Sequence, residues 1–211
     1  MVGSSPFTNV FLQNLKALVL WREKLRDHKP HPHPLPVLPQ QKMRTSYNLF
    51  AEEVPQNHSQ ELNQLKQFIR ETYGIYLSRA YNVSGLESAR VNARCFGNVQ
   101  RRGQRTYPHY HHTCDHVFVL YLDCGYNRGE AASVVNRSGD GELLLQDPRH
   151  FSSFPFWEKI RQVNTYPGLM LLHPAFLWHE TNTMFADGER VVLIVTLKMM
   201  SHNYSEIYTS L

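Results

Sequence analysis

The sequence has 211 residues and a mass of 24.6 kDa, with 42% hydrophobic and 19% charged residues. That length buries a core without disulfide or metal staples, and the balance excludes a disordered or low-complexity chain. A net charge of +4 is too small an excess to mark a nucleic-acid binder, and no apolar run approaches the ~20 residues that a bilayer span needs. Cys95, Cys114 and Cys124 form no CxxC pair and read as free thiols of a reducing compartment. A soluble, intracellular and cytoplasmic protein is expected, with neither membrane nor nucleic acid as partner.

Residues 7–27 carry Val10, Phe11, Leu15, Leu18, Val19 and Leu25 at a spacing that predicts one helical face. The tract His28-Lys29-Pro30-His31-Pro32-His33-Pro34-Leu35-Pro36 follows. Its alternating prolines deny both helix and sheet, so it reads as a stiff spacer rather than a metal-binding run. A second helix is expected after Asn57-His58-Ser59, with Leu62, Leu65, Phe68, Ile69 and Tyr73 on one face. From Ala89 onward the texture changes to short apolar runs between Gly, Pro, Asn and Asp. Strands are expected at 90–98, 117–122, 141–146, 169–172 and 190–199. Turns fall at Arg102-Gly103, Cys124-Gly125, Ser138-Gly139-Asp140-Gly141, Pro167-Gly168 and Asp187-Gly188. The basic run Arg101 to Arg105 lies in the first of these and reads as solvated charge. Helices first and short strands afterwards indicate an α+β layout with a sheet sandwich or barrel downstream. Residues 1–45 are taken as an N-terminal helix and linker, and 46–211 as the main domain.

The chemistry concentrates in Pro108-His109-Tyr110-His111-His112-Thr113-Cys114-Asp115-His116, directly before an apolar strand. In an extended segment His109 and His111 share a face, ~7 Å apart along the chain, while His112 faces the other way. Two neutral imidazoles so placed can bind one cation; equally, histidines of a polar loop make surface hydrogen bonds. A second signal is the strand Leu169-Met170-Leu171-Leu172-His173, opened by Pro167-Gly168 and followed by His179. A third is Arg190 at the mouth of Val191-Val192-Leu193-Ile194-Val195, either snorkelling to water or gripping a carboxylate. The aromatic segment Phe151-Ser152-Ser153-Phe154-Pro155-Phe156-Trp157 reads as a cap on the core, with a lid or substrate wall as the other reading.

The ordered set resembles the 2-oxoglutarate/Fe(II)-dependent oxygenases, and most closely their prolyl-hydroxylase-like branch with a His-x-His first site. It comprises His109 and His111, a strand, the Gly141-Glu142-Leu143-Leu144-Leu145 hairpin, the Pro167-Gly168 strand, His179 and Arg190, and covers roughly half the chain. The resemblance implies a double-stranded β-helix, the cupin-like jelly roll, with the N-terminal helices packed on one sheet. It implies an Fe(II)- and 2-oxoglutarate-dependent dioxygenase that uses O2 to hydroxylate an unidentified substrate, with release of succinate and CO2. Position by position, it makes His109 and His179 iron ligands and Arg190 the anchor for the far carboxylate of 2-oxoglutarate. Tyr121 and Asn98 become candidates to hydrogen-bond that cosubstrate.

The departure is at the third ligand, where the family's carboxylate position holds His111. Either His111 ligates, giving a three-histidine iron, or Asp115 reaches in, or the site lacks one ligand; strand alternation favours His111. A three-histidine cupin-type dioxygenase that needs no 2-oxoglutarate, and a catalytically silent jelly-roll binding module, are the alternatives.

Overall fold

The computed structural model describes residues 2–27, 47–82, 90–125, 140–148, 159–199 and 209–210. The proline- and histidine-rich tract, the aromatic segment Phe151 to Trp157 and the turn residues Ser138-Gly139 lie outside the described residues.

The chain opens with a short strand, β1 (Val2–Ser4), and then the helix α1 (Asn9–Asp27). Thr8 sits just before that helix, and its hydroxyl accepts a hydrogen bond from Phe11 N, satisfying one of the orphaned amides of the first turn. The helix buries Phe11, Leu12, Leu15, Leu18 and Val19. Val10 and Leu25, expected on that face, are 70% and 42% exposed: at 3.6 residues per turn Val10 points away from the arc of Phe11, Leu15 and Val19, and Leu25 lies at its edge in the last turn. The second helix, α2 (Gln56–Tyr81), buries Leu62, Leu65, Ile69, Tyr73 and Leu77 at the 3.6-residue period, and ends at Asn82 in the left-handed conformation.

Eight further strands follow: β2 (Val91–Gln100), β3 (His116–Cys124), β4 (Leu143–Gln146), β5 (Ile160–Val163), β6 (Leu169–Pro174), β7 (Trp178–Thr181), β8 (Arg190–Met199) and β9 (Thr209–Ser210). All pairings are antiparallel, in two sheets: a six-stranded one, β1-β6-β3-β8-β2-β9, and a three-stranded one, β5-β4-β7. The expected α+β class is what is seen, and two facing antiparallel sheets fit a jelly roll.

Alternation divides the large sheet into two faces. Ala93, Cys95, Phe118, Leu120, Leu122, Leu193, Val195 and Leu197 join the buried faces of both helices in one core. Gly97 belongs to this face, and a Cβ there would meet Val19 Cγ1 at 2.3 Å, so glycine is what lets α1 lie this close to β2. The opposite face, with Val117, Val119, Tyr121, Leu169, Leu171 and Val192, packs on Leu143 and Val163 of the small sheet. The candidate site lies within this second layer.

The basic run is locally neutralised: Arg101 pairs with Glu189 at 2.8 Å and Arg102 with Asp187 at 2.6 Å. All three cysteines are free and buried. No helix among the described residues is long and apolar enough to cross a membrane.

Candidate metal centre

His179 and His109 come together through backbone pairing. His109 N donates to His179 O at 3.0 Å and His179 N donates to His109 O at 2.9 Å. Further along, Thr181 N donates to Thr106 O, and His111 N donates to Ala175 O. Residues 106–111 therefore run extended beside β7, and alternation turns His109 and His111 to one side. Tyr110 turns to the other, where its ring lies 5.1 Å from that of Trp178. Ligand atoms of His109, His111 and His179 all lie within 4.8 Å of one another. Asp115 is not among them: its carboxylate is exposed and accepts a hydrogen bond from Met199 N at 2.8 Å.

The donor set suits a divalent transition metal. His109 Nδ1 donates to Tyr107 O at 2.8 Å and His179 Nδ1 donates to Leu177 O at 2.9 Å. With Nδ1 occupied, each ring presents an Nε2 lone pair to the cluster, the backbone doing the work of an outer-sphere partner. Burial lowers the His179 pKa to about 2, with His109 and His173 adding to the shift. The same cause, with His109 next, lowers His111 to about 4. Both are neutral, the form a metal needs, throughout the physiological range.

A second polar group lies in the same layer. Arg190 is 3% exposed, yet its Nη1 donates to Gln100 Oε1 at 2.7 Å and its Nη2 to Tyr121 Oη at 3.2 Å. The guanidinium carbon stands 5.0 Å from the centre of the Tyr121 ring. Its Nε is buried with no hydrogen-bond partner, and no carboxylate among the described residues forms an ion pair with it. Gly141, at φ +62°, would bring a Cβ to 3.4 Å from Arg190 Cδ, so the turn before β4 closes on the arginine stem. Burial raises the Tyr121 pKa against the opposing pull of Arg190, which keeps the phenol protonated.

Gln100 ties the two groups together. Its Nε2 donates to Thr106 Oγ1 at 2.8 Å and to Thr181 Oγ1 at 3.3 Å, and Thr181 Oγ1 also accepts from Thr106 N. Thr181 is two residues beyond His179 on the same strand face, so one short network links the metal end to the guanidinium end. Asn98 is half-buried on β2, two residues before Gln100 and on its face of the strand. The sequence reading missed Gln100, Thr106 and Thr181. Only Thr181 carried a signal, its i+2 spacing from His179. His173, which the sequence places at the end of its strand without a role, lies on the inner face of β6 with its ring centre 5.0 Å from that of His179.

No family model matches the chain, and no curated protein sequence matches it significantly. Solved structures do. A prolyl-4-hydroxylase of Pseudomonas putida is similar at a TM-score of 0.57 and 13% identity, covering 95% of this chain and 88% of the other. A prolyl hydroxylase of Trichoplax adhaerens, in complex with a hypoxia inducible factor oxygen degradation domain peptide, is similar at 0.57 and 12%, covering 94% and 83%. HygX of Streptomyces hygroscopicus, with nickel and 2-oxoglutarate bound, is similar at 0.55 and 13%, covering 95% and 82%. The chain thus shares the fold of prolyl hydroxylases and related 2-oxoglutarate/Fe(II) oxygenases.

Proposed function

We propose that the protein is a 2-oxoglutarate- and Fe(II)-dependent dioxygenase that hydroxylates a C–H bond of a substrate, with protein side chains as the first class to try. His109, His111 and His179 would hold the iron. Bound there, iron(II) would supply the redox chemistry that couples O2 and the decarboxylation of 2-oxoglutarate, to succinate and CO2, to that hydroxylation.

The observation that carries the reading is Arg190. A guanidinium this buried without a carboxylate partner among the described residues is costly unless something anionic completes it. Its fork suits a carboxylate bidentately, and Tyr121 Oη and the Gln100 amide fix its orientation. Tyr121 is placed to share that carboxylate, and Asn98 stays a candidate for the same ligand. The apolar residues Val119, Leu171 and Val192 exclude water between the two polar ends. Residues 106–111 serve in this reading as the strand that completes the small sheet of a double-stranded β-helix. The division of the chain at residues 45 and 46 is retained, with α1 packed on the large sheet.

A 2-oxoglutarate-independent cupin-type dioxygenase is the second reading, favoured by a ligand group without a carboxylate. It leaves Arg190 without a ligand. Succinate formation by the purified protein under air separates the two. Iron- and 2-oxoglutarate-dependent succinate, lost in His179→Ala, supports the first. Oxygen uptake that continues when 2-oxoglutarate is omitted supports the second.

A further inference from the structure

One buried imidazole beside the metal group has no task in the reading above. His173 stands on the inner face of β6, 5% exposed. Its Nδ1 donates to Pro174 O at 2.9 Å, which leaves Nε2 as an unprotonated acceptor. That Nε2 is buried and has no hydrogen-bond partner among the described residues. A lone acceptor in such a place forfeits a hydrogen bond unless a donor reaches it. Its ring meets the His179 ring edge to face at 5.0 Å, so the imidazole borders the metal group. It does not join that group, whose ligand atoms lie within 4.8 Å of one another. Across the sheet, Val117 pairs with both His173 and Thr196, so the two flank Val117 on the inner face, and Thr196 Oγ1 is likewise buried without a partner. That rung, at the other end of the inner face from Arg190, therefore carries two buried polar atoms without partners among the described residues.

We infer that His173 is a positioning residue of the metal centre, whose Nε2 accepts a hydrogen bond from a water bound to the metal. This rests on the metal assignment to His109, His111 and His179. The neutral ring, locked by Pro174 O, can take a proton-bearing ligand but not a bare anion. It therefore favours water over a monodentate anion at that coordination position, and holds the water until a chelating ligand displaces it.

The test is azide binding to the Co(II)-loaded protein, read from the visible spectrum. Azide displaces the water and has no proton to donate, so the wild type loses the His173 hydrogen bond on binding it. With His173→Leu and His173→Phe, two apolar replacements of different shape, azide should bind about 5- to 10-fold more tightly while Co(II) is still bound. In His173→Gln, whose amide oxygen reaches the place of Nε2, azide affinity should return to within about twofold of wild type. Azide affinity unchanged in both apolar variants overturns the inference. So does loss of Co(II) from them as complete as in His179→Ala, which would make His173 a direct ligand. If the unaltered protein binds no Co(II), the metal assignment itself has failed, and the inference with it.

Discussion

Replacing Arg190 by methionine should leave the fold intact and remove the response to 2-oxoglutarate. In the ligand-free protein the guanidinium is close to break-even. Its burial costs several kcal/mol, and its bonds to Gln100 and Tyr121 return ~1.5–3 kcal/mol each. Methionine has similar length and no charge to desolvate. It leaves Gln100 Oε1 and Tyr121 Oη short of a donor, at ~1–3 kcal/mol apiece, while the Gln100 amide nitrogen keeps both threonines. The opposing changes cancel to within about 2 kcal/mol, a Tm shift of no more than about 4–8 °C in a domain of this size.

Ligand binding should not be spared. Removing one partner of a buried charge pair costs ~3–5 kcal/mol, or roughly 150- to 4,000-fold in affinity. At a 2-oxoglutarate concentration 100 times the wild-type Kd, the ligand stabilises the metal-loaded wild type by about 2.7 kcal/mol. In the variant the same concentration falls at or below Kd and contributes less than about 0.5 kcal/mol. Thermal unfolding with and without 2-oxoglutarate, under nitrogen, measures both quantities. An equal ligand-induced shift in the two proteins would refute the assignment of Arg190, and collapse of the ligand-free variant would make the arginine a structural keystone instead.

Further outcomes test the surroundings. Burial holds His111 and His173 at about 4 and His179 at about 2, below an unfolded value near 6.5. The unfolded chain therefore takes up protons first as pH falls, and stability present above pH 6.5 is lost toward pH 4, at up to roughly 4 kcal/mol per pH unit for the three together. Urea unfolding of the metal-free protein from pH 7.5 to 4.5 reads this, and a flat profile between pH 6.5 and 4.5 would contradict it. Gly97→Ala drives a methyl into Val19 and should cost ~1–3 kcal/mol; adding Val19→Ala should show coupling of at least ~0.5 kcal/mol in a denaturant double-mutant cycle. Additive costs would mean that the helix does not press on this strand. Tyr73→Phe strands His116 Nδ1 in a buried site and should cost ~1–3 kcal/mol, whereas Tyr81, half-exposed at the other ring nitrogen, is replaceable by Phe with less than about half of that, since water can take its place. Equal losses would refute the distinction.

Elements with their own apolar signal were readable in advance. The helix α2 and the strands β2, β3, β6 and β8 each contribute residues that the buried cores use. The strands β5 and β7 were not. Ile160, Arg161 and Gln162 are exposed, and Trp178-His179-Glu180-Thr181 is polar and only four residues long; both exist because β4 pairs with them on either side. The same division runs through the site. His109, His111 and His179 are histidines in an extended pattern, and the structure gathers them; Asp115 had the chemistry but is engaged with the backbone of β8. Gln100 and Thr106 are short polar residues with no periodic marker, and their role comes only from where β2 ends against β7.

Register explains why the two polar ends of the site lie in one layer between the sheets. On the inner face of the large sheet, Val117 lies between His173 and Thr196, Val119 between Leu171 and Ile194, and Cys124 opposite Arg190. The metal end and the guanidinium end are thus separated by apolar rungs. The small sheet spans them with one two-residue step, ~7 Å from His179 to Thr181, and Thr181 reaches Arg190 through Gln100. A one-residue slip of β7 against β4 would turn His179 and Thr181 outward and bring Trp178 and Glu180 in. It would remove one member of the three-histidine group and the support of the arginine together. The pairing of Leu145 with His179 and of Leu143 with Thr181, with both leucines packed in the inner core, is what holds that register. A four-residue strand without an apolar signal of its own thus fixes the spacing between the three-histidine group and the guanidinium, and in the proposed reading the length of the ligand that would bridge them.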